Sequence, residues 1–297
     1  MYDICCIGHI TLDKVVTPKN TVHMAGGTSY YFSNAIHNMD VNYLLVTALA
    51  QRELQYVSDL RAKGIEVNVL PSAETVYFEN IYTENSDHRK QRVLQVADSF
   101  TVEQLADVEA KIFHLGPLLA GDMSVELIEM LSKKGQISLD VQGYLRKVQH
   151  QQVIAIDWRD KKKGLQYVDI LKASGSEMEV LTGQKEIHKG ARILADMGVK
   201  EVVITLGSMG SVIYRDERFY DIPAYWPVSV TDATGCGDTY MAGYLYQRIK
   251  GADLQQAGEF GAAMATLKIE TSGPFTGTEE DVLELLSNSK TRMIISA

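Results

Sequence analysis

The chain has 297 residues, 45% hydrophobic and 23% charged, which is an ordinary globular composition and excludes a disordered or fibrous chain. Its length suits one large α/β domain, or a core with a small appendage, better than several independent domains. With 29 basic against 38 acidic residues, the net charge of -9 opposes nonspecific binding to nucleic acid or to an anionic membrane.

The cysteines are Cys5, Cys6 and Cys236, and this odd number with an adjacent pair fits neither a disulfide framework nor a paired zinc site. The chain starts without a basic region ahead of its first apolar run, and polar residues interrupt each hydrophobic stretch before it reaches membrane-spanning length. We therefore expect no signal peptide, no transmembrane helix and a cytoplasmic location.

Short apolar runs alternate with stretches of helical periodicity along most of the chain. Strands are predicted at residues 3–10, 41–50, 111–117, 135–141, 167–174 and 201–207. Helices are predicted at residues 123–133, 184–197, 238–250 and 279–287. Continuous apolar runs suit strands buried on both faces of a parallel sheet. The pattern predicts a three-layer α/β/α sandwich with a mostly parallel central sheet.

Two segments break this alternation, at about residues 10–26 and 73–97. Each has two extended stretches around a polar turn, with no helix between them. We predict antiparallel hairpins that pair into a small β-sheet standing off the core, as a lid within the single domain; ordinary surface hairpins are the alternative. Because unpaired edge strands need covering, a homodimer through the lid is a further expectation.

The most informative segment is VTDATGCGDTYMAGYLYQRI, residues 230–249. Its turn, Gly235-Cys236-Gly237, leads into a helix whose apolar residues recur at helical spacing. The free N–H groups and the positive end of the helix dipole bind an anion at such a position. Asp238, in the first turn, is placed to accept the proton of an attacking hydroxyl, which is kinase chemistry. A simple helix cap after a tight turn is the alternative.

The string DATGCGDTYMAGY resembles the second signature, D-[TP]-T-G-A-G-D, of the ribokinase/PfkB-type carbohydrate kinases. The resemblance implies a ribokinase-like fold, Asp238 as the catalytic base and an anion hole made by the backbone of Gly235, Cys236 and Gly237. Cys236 stands where the family usually has alanine, which a backbone anion hole tolerates. The resemblance also implies that Thr234 contacts the nucleotide.

Two further segments resemble the nucleotide-binding parts of that family. ITLGSMGSVIY is similar to its T-x-G-x-x-G turn, which implies that Thr205, Gly207 and Gly210 lie along the nucleotide. ILKASGSE is similar to its N-x-x-E segment, which implies that Glu177 organises Mg²⁺ and that Ser174 replaces an asparagine near the phosphates. ATP and Mg²⁺ are therefore the implied cofactors.

The family resemblance also implies a potassium or other monovalent-cation site. It would lie near the loop around Asp232 and a later loop near Ser272-Gly273. Residue-by-residue ligands do not follow from the resemblance.

Near the N-terminus, the resemblance implies substrate contacts. Asp13 matches an acidic residue that binds substrate hydroxyls, and Gly26-Gly27 matches a diglycine that lets substrate approach the backbone. Asn34 follows this pair later than the usual spacing. Gln142 comes directly after a predicted strand, at the edge where open α/β sheets bind ligands. We expect these polar groups to recognise hydroxyls.

Several segments, GGTSYYFSNA, DVQGYLR and LKASGSE among them, look more similar to myo-inositol kinases than to ribokinase. The sequence thus predicts a kinase that transfers the γ-phosphate of ATP to a hydroxyl of a sugar or cyclic polyol. A nucleoside kinase of the same fold, and a non-catalytic sugar or nucleotide sensor, are the alternatives. Nearby, Arg146 is expected to pair with a phosphate or with Asp140.

Overall fold

The computed structural model describes residues 1–16, 20–82 and 89–295. Residues 17–19 and 83–88, which belong to the two predicted lid segments, lie outside the described residues. Within the described ranges, no helix is long and apolar enough to cross a membrane.

The strands and helices alternate as the sequence predicts, with additional elements at several places. The strands are β1 (Tyr2–Ile7), β2 (Thr11–Val16), β3 (Thr21–Gly26), β4 (Tyr43–Leu49), β5 (Glu66–Pro71), β6 (Val76–Tyr82), β7 (Arg89–Gln95), β8 (Ala110–Leu115), β9 (Gln136–Asp140), β10 (Arg146–Gln149), β11 (Gln152–Ala155), β12 (Ile170–Ser174), β13 (Glu201–Thr205), β14 (Ser211–Arg215) and β15 (Arg218–Ile222). The helices are α1 (Thr28–Ile36), α2 (Leu54–Ala62), α3 (Val125–Ser132), α4 (Lys161–Leu165), α5 (Gly175–Thr182), α6 (Ile187–Asp196), α7 (Cys236–Ile249), α8 (Leu254–Ile269) and α9 (Glu279–Ile295).

The central sheet has the strand order β15-β14-β13-β12-β9-β8-β1-β4-β5 among the described residues. Seven of these strands pair in parallel, and β14 and β15 add an antiparallel edge after β13. The inner strands are buried on both faces, as their continuous apolar runs predict, whereas the edge strands β5 and β15 have exposed residues. The mostly parallel central sheet is therefore confirmed.

Two apolar cores lie on opposite faces of this sheet. One packs the side chains of α1, α7 and α8 against alternate strand residues such as Ile4 and Leu45. The other packs α3, α5 and α6 against the intervening strand residues such as Cys5 and Phe113. Because neighbouring strand residues point to opposite faces, one apolar run serves both layers. The three-layer α/β/α sandwich is confirmed.

A second sheet, the lid sheet, has the order β10-β11-β7-β6-β2-β3 in the part of the chain that the structure describes. The two predicted segments form antiparallel hairpins, and they pair with each other through parallel strands β2 and β6. A third hairpin, β10–β11, joins at β7 and was absent from the sequence prediction. The lid sheet has its own small core, which includes Val76, Phe78 and Val93.

Candidate active site

A cavity of about 970 Å³ lies between the lid sheet and the carboxyl ends of the central strands. This is the edge where open α/β sheets bind ligands. From the lid sheet it is lined by Thr11, Asp13, Val15, Met24, Phe78, Asn80, Gln91 and, at the start of β10, Arg146. From the core it is lined by Gly27, Thr28, Tyr31, Leu118, Asp140, Gln142, Lys172, the loop from Thr231 to Gly235, Gly237, Asp238 and Ser272.

The turn that begins α7 has the geometry of an anion hole. Gly235 is in the left-handed conformation with φ 79°, and a Cβ there would lie 2.1 Å from the Tyr31 ring, so only glycine fits. The first helical hydrogen bond of the turn is donated by the Thr239 amide to the Gly235 carbonyl at 2.9 Å. The amides of Gly237 and Asp238 precede that bond, and helix N-termini of this kind bind anions.

Asp238 faces the cavity from the first turn of α7. Burial, reinforced by the negative charge of Asp140, raises its pKa to about 6. Lys172, a hydrogen bond with Thr28 and the charge of Arg146 act in the opposite direction. A carboxylate with a pKa near neutrality is ionised at pH 7 and still basic enough to take a proton from a hydroxyl.

A buried ion pair lies close to Asp238. The Lys172 ammonium, on β12, is 2.8 Å from Oδ2 of Asp140, at the end of β9, and both side chains are less than a tenth exposed. Burial alone would raise the pKa of Asp140, but the Lys172 charge and hydrogen bond hold it below its usual value. Asp140 therefore pairs with Lys172, a partner that the sequence analysis did not consider; the candidate partner given there was Arg146.

Lys172 also touches the anion turn. A Cβ on Gly237 would lie 3.3 Å from the Lys172 Nζ atom, so this ammonium is adjacent to the turn. It places a fixed positive charge where a phosphoryl group would meet the α7 amides. The sequence analysis missed this residue, and the available signal was a lysine inside the apolar strand ILKAS.

The lid sheet contributes polar side chains to the cavity that Asp238 also lines. Asp13 lines the cavity and accepts a hydrogen bond from Thr11 Oγ1 at 2.7 Å. A Cβ on Gly26 would lie 2.4 Å from Asp13 Oδ2, so this glycine makes room for the carboxylate. Asn80 and Gln91 face each other across β6 and β7, with Gln91 Nε2 donating to Asn80 Oδ1 at 3.0 Å. The sequence analysis did not identify Asn80 or Gln91 as site residues.

The other predicted substrate residues divide into two groups. Gln142 and Gly27 line the cavity, and the Gln142 amide donates to Asp140 Oδ1 at 3.0 Å. Asn34 does not line it, so its predicted contact with substrate is not supported. Its side chain is buried within α1, donates to the Tyr30 carbonyl at 2.8 Å and accepts from Lys63. Asn34 lies nearly one helical turn beyond Tyr31, the last residue of α1 in the cavity lining.

The predicted nucleotide residues lie at the same edge of the sheet but largely outside the cavity. Ser174 and Thr205 are neighbours at the ends of β12 and β13, and Thr234 lies in the loop before α7. Gly207 and Gly210 bracket the exposed turn after β13, with φ values of 60° and 90°. Their contacts with a nucleotide stay a prediction.

Glu177 lies in the first turn of α5 and forms a capping box with Ser174. Its Oε2 accepts from the Ser174 amide at 2.7 Å, and its own amide donates to Ser174 Oγ at 3.2 Å. No cluster of three or more metal-ligating side chains occurs among the described residues. The role of Glu177 in organising Mg²⁺ stays a prediction.

The predicted monovalent-cation position contains a lysine. Lys268, in the last turn of α8, is fully buried and donates to the Asp232 carbonyl at 2.8 Å. Its ammonium is also 3.5 Å from Asp232 Oδ2 and 3.4 Å from the Thr271 carbonyl. The sequence analysis placed the cation near Asp232 and the Ser272-Gly273 loop, but it did not identify Lys268, whose ammonium occupies that position.

Comparison with solved structures shows which known proteins share this fold. The chain is similar to a pyrophosphate-dependent kinase in the ribokinase family, solved with a pyrophosphate analog and myo-inositol, with 30% identity, a TM-score of 0.85, and coverage of 95% of this chain and 99% of that chain. A variant of a pyrophosphate-dependent myo-inositol-1 kinase gives a TM-score of 0.84 at 28% identity, covering 96% of this chain and 99% of that one. The fold is ribokinase-like, and the protein is a phosphotransferase with a hydroxyl acceptor.

The family follows from the sequence match. Residues 2–281 match the model described as pfkB family carbohydrate kinase, and the chain belongs to that family. A cytidine kinase of Thermococcus kodakarensis is 26% identical over 289 residues, which span 94% of this chain and 100% of the relative. Sugar, polyol and nucleoside kinases are thus all among its relatives.

Proposed function

We propose that the protein transfers a phosphoryl group to one hydroxyl of an uncharged sugar or cyclic polyol, such as myo-inositol. The observation that carries this proposal is the position of Asp238, whose pKa is raised to about 6, in the same cavity as the polar side chains of Asp13, Asn80 and Gln91. A polyol offers many hydroxyls and no charge, and acid and amide groups recognise hydroxyls by directed hydrogen bonds.

The residues divide the chemistry among them. Asp13 and the lid amides hold the acceptor, and Asp238 takes the proton of the attacking hydroxyl as the oxygen bonds to phosphorus. The Gly237 and Asp238 amides and the Lys172 ammonium stabilise the charge on the phosphoryl oxygens. Mg²⁺ bound with the donor would neutralise part of the phosphate charge, with Glu177 as its protein carboxylate.

ATP is the donor expected from the family pattern, with Ser174, Thr205, Gly207, Gly210 and Thr234 along the nucleotide. Pyrophosphate is a second candidate donor, supported by the similarity to kinases described as pyrophosphate-dependent. Transfer from ATP releases ADP, whereas transfer from pyrophosphate releases inorganic phosphate. The two donors are therefore separable by the product that accompanies the phosphorylated acceptor.

A nucleoside acceptor is the alternative substrate, and similarity to a cytidine kinase supports it. The cavity lining also includes Tyr31 and Phe78, aromatic side chains of the kind on which a base stacks, so the choice of acceptor is left to the experiment below. A sensor without transfer would bind the same ligands and leave both donors intact.

The deciding experiment incubates the protein with Mg²⁺ and either ATP or pyrophosphate, together with myo-inositol, ribose, fructose, cytidine or adenosine. Phosphorus NMR would detect the phosphorylated acceptor, ADP and phosphate in one spectrum. Asp238→Asn is the test variant, and Asp196→Asn, an exposed acid on α6, is its matched control. Turnover of a nucleoside alone would overturn the polyol proposal, and binding without turnover would favour the sensor.

Two further expectations keep their status as predictions. A homodimer through the lid would cover the outer strands of the lid sheet, β3 and β10, and light scattering would measure its mass. The cytoplasmic location accords with the three free cysteines, of which Cys5 and Cys6 are buried.

A further inference from the structure

The turn that carries the base is held by a buried cation that belongs to the chain. Lys268 is fully buried, and among the described residues three oxygens lie within 3.5 Å of its Nζ: the Asp232 carbonyl, the Asp232 carboxylate and the Thr271 carbonyl. An ammonium has three donors and needs partners of this kind when buried. The site is thus fitted to a positive charge.

The same oxygens would be the ligands of a potassium ion. Potassium is bound by carbonyl and carboxylate oxygens that replace its hydration shell. These oxygens join the end of α8 and the loop after it to the turn before α7, where the family pattern implies a monovalent cation. A potassium ion and the Lys268 ammonium cannot share them, because two unit positive charges a few ångströms apart repel each other strongly.

The position of Asp232 explains why the charge matters. Its Oδ1 accepts from the Thr234 amide at 2.9 Å, directly before the anion turn, and its Oδ2 accepts from the Gly273 amide at 3.4 Å. The Asp232 amide in turn donates to the Ile269 carbonyl at 3.2 Å. The Lys268 charge therefore holds in place the loop from Asp232 to Thr234, which leads into Gly235 and then to Asp238 in α7.

We infer that Lys268 is a built-in replacement for the monovalent cation, so that the anion turn is ordered by the chain itself and the kinase needs no potassium. Lys268 is a positioning residue that acts through Asp232; its ammonium also lies 6.0 Å from the centre of the Tyr31 ring, which lines the cavity. The kinetic consequence rests on the proposed function, whereas the cation requirement of the fold does not.

The first test measures the thermal unfolding of the wild-type protein in potassium chloride and in tetramethylammonium chloride at equal ionic strength. Tetramethylammonium has no N–H donors and is too large for the site. We expect equal melting temperatures in both salts, because the site is already filled. A saturable rise in melting temperature with potassium alone would overturn the inference.

The second test opens the site and compares two variants. Lys268→Ala removes the charge and leaves space beside the oxygens, whereas Lys268→Met removes the charge but fills the space. We expect both to melt at least about 5 °C below wild type. Potassium, ammonium or ethylammonium should then raise the melting temperature of Lys268→Ala and leave that of Lys268→Met unchanged. Equal responses of the two variants would contradict a cation site.

Activity adds a third readout with the acceptor found active. Lys268→Ala should lose about 10- to 100-fold in kcat in tetramethylammonium, with a smaller change in the acceptor KM, and potassium should restore it. If no acceptor is turned over, the proposed function fails while the melting experiments still decide the role of Lys268. Full activity of Lys268→Met without added cation would overturn the positioning role.

Discussion

The two sides of the cavity are built in different ways. On the core side, Asp140 and Lys172 form an ion pair at 2.8 Å with both side chains almost fully buried. The lid sheet has its ion pair on the face away from the cavity, where Lys14 and Glu79 pair at 3.0 Å, with Lys14 31% exposed and Arg92, which pairs with the same Glu79, 48% exposed. Buried charges act strongly on a neighbouring ionisable group, whereas solvent screens exposed ones. The two largest charge effects on the pKa of Asp238, those of Asp140 and Lys172, accordingly come from the core side.

The largest expected effect is that of Asp238→Asn. Loss of the base should lower kcat by about 10² to 10⁴-fold, measured with the acceptor and donor found active. The amide keeps the size of the side chain, so substrate binding and the circular dichroism spectrum should be preserved. Activity within a factor of two of wild type would remove Asp238 as the base.

The same variant should be more stable than the wild type at high pH. The folded state raises the Asp238 pKa from 3.8 to about 6, so the ionised carboxylate opposes folding. The stabilising contribution of the protonated form is present below about pH 4 and is lost as the pH rises through 6. Asp238→Asn should therefore gain about 1–3 kcal/mol over wild type at pH 8 and almost nothing at pH 4, measured by urea unfolding. A gain that is independent of pH would contradict this assignment.

Breaking the core ion pair should lower the stability of the protein. Lys172→Met leaves Asp140 buried without its cation and should lower the free energy of unfolding by about 3–5 kcal/mol. The double variant Asp140→Asn/Lys172→Met removes both charges and should recover most of that loss. If the single and double variants unfold alike, the pair contributes no coupling energy.

The pH profile connects this pair to the base. For wild type, kcat/KM should rise as the pH increases through about 6 and level off above 7, since Asp238 must be ionised to act. Lys172 lowers the pKa of Asp238, so Lys172→Met should move this limb to higher pH. If the rise of kcat/KM stays at the same pH in Lys172→Met, Lys172 does not influence the pKa of Asp238.

On the lid side the expected effects are smaller. Asn80→Ala removes one amide from the cavity and should raise the acceptor KM by about 10-fold, with kcat less affected. Lys14→Gln, one strand away in the pair with Glu79, is the matched control and should change stability by less than about 0.5 kcal/mol. Equal effects of the two variants on KM would mean that Asn80 does not contact the acceptor.

Local sequence patterns were sufficient for much of the core. Six strands of the central sheet (β1, β4, β8, β9, β12 and β13) and helix α7 were predicted because each depends on residues that are close together in the sequence, whereas β5, β14 and β15 were not among the predicted strands. A turn of Gly235-Cys236-Gly237 before an amphipathic helix specifies its own anion-binding geometry. The third lid hairpin was missed because His150 and Gln151, both with positive φ, form its turn without the usual glycine or asparagine.

What the sequence determined by itself is the ribokinase-like fold, the kinase reaction class and the position of Asp238. Only the tertiary structure decided which charges surround that base. Lys172 meets Asp140 from a different strand, and Lys268 meets Asp232 across a separation of 36 residues in the chain. Such pairs depend on how the elements pack, and a lysine within an apolar strand or helix does not reveal its partner. Asn34 illustrates the same dependence on packing, since a late match to the family's diglycine pattern suggested a substrate contact, whereas its side chain is buried and accepts a hydrogen bond from Lys63.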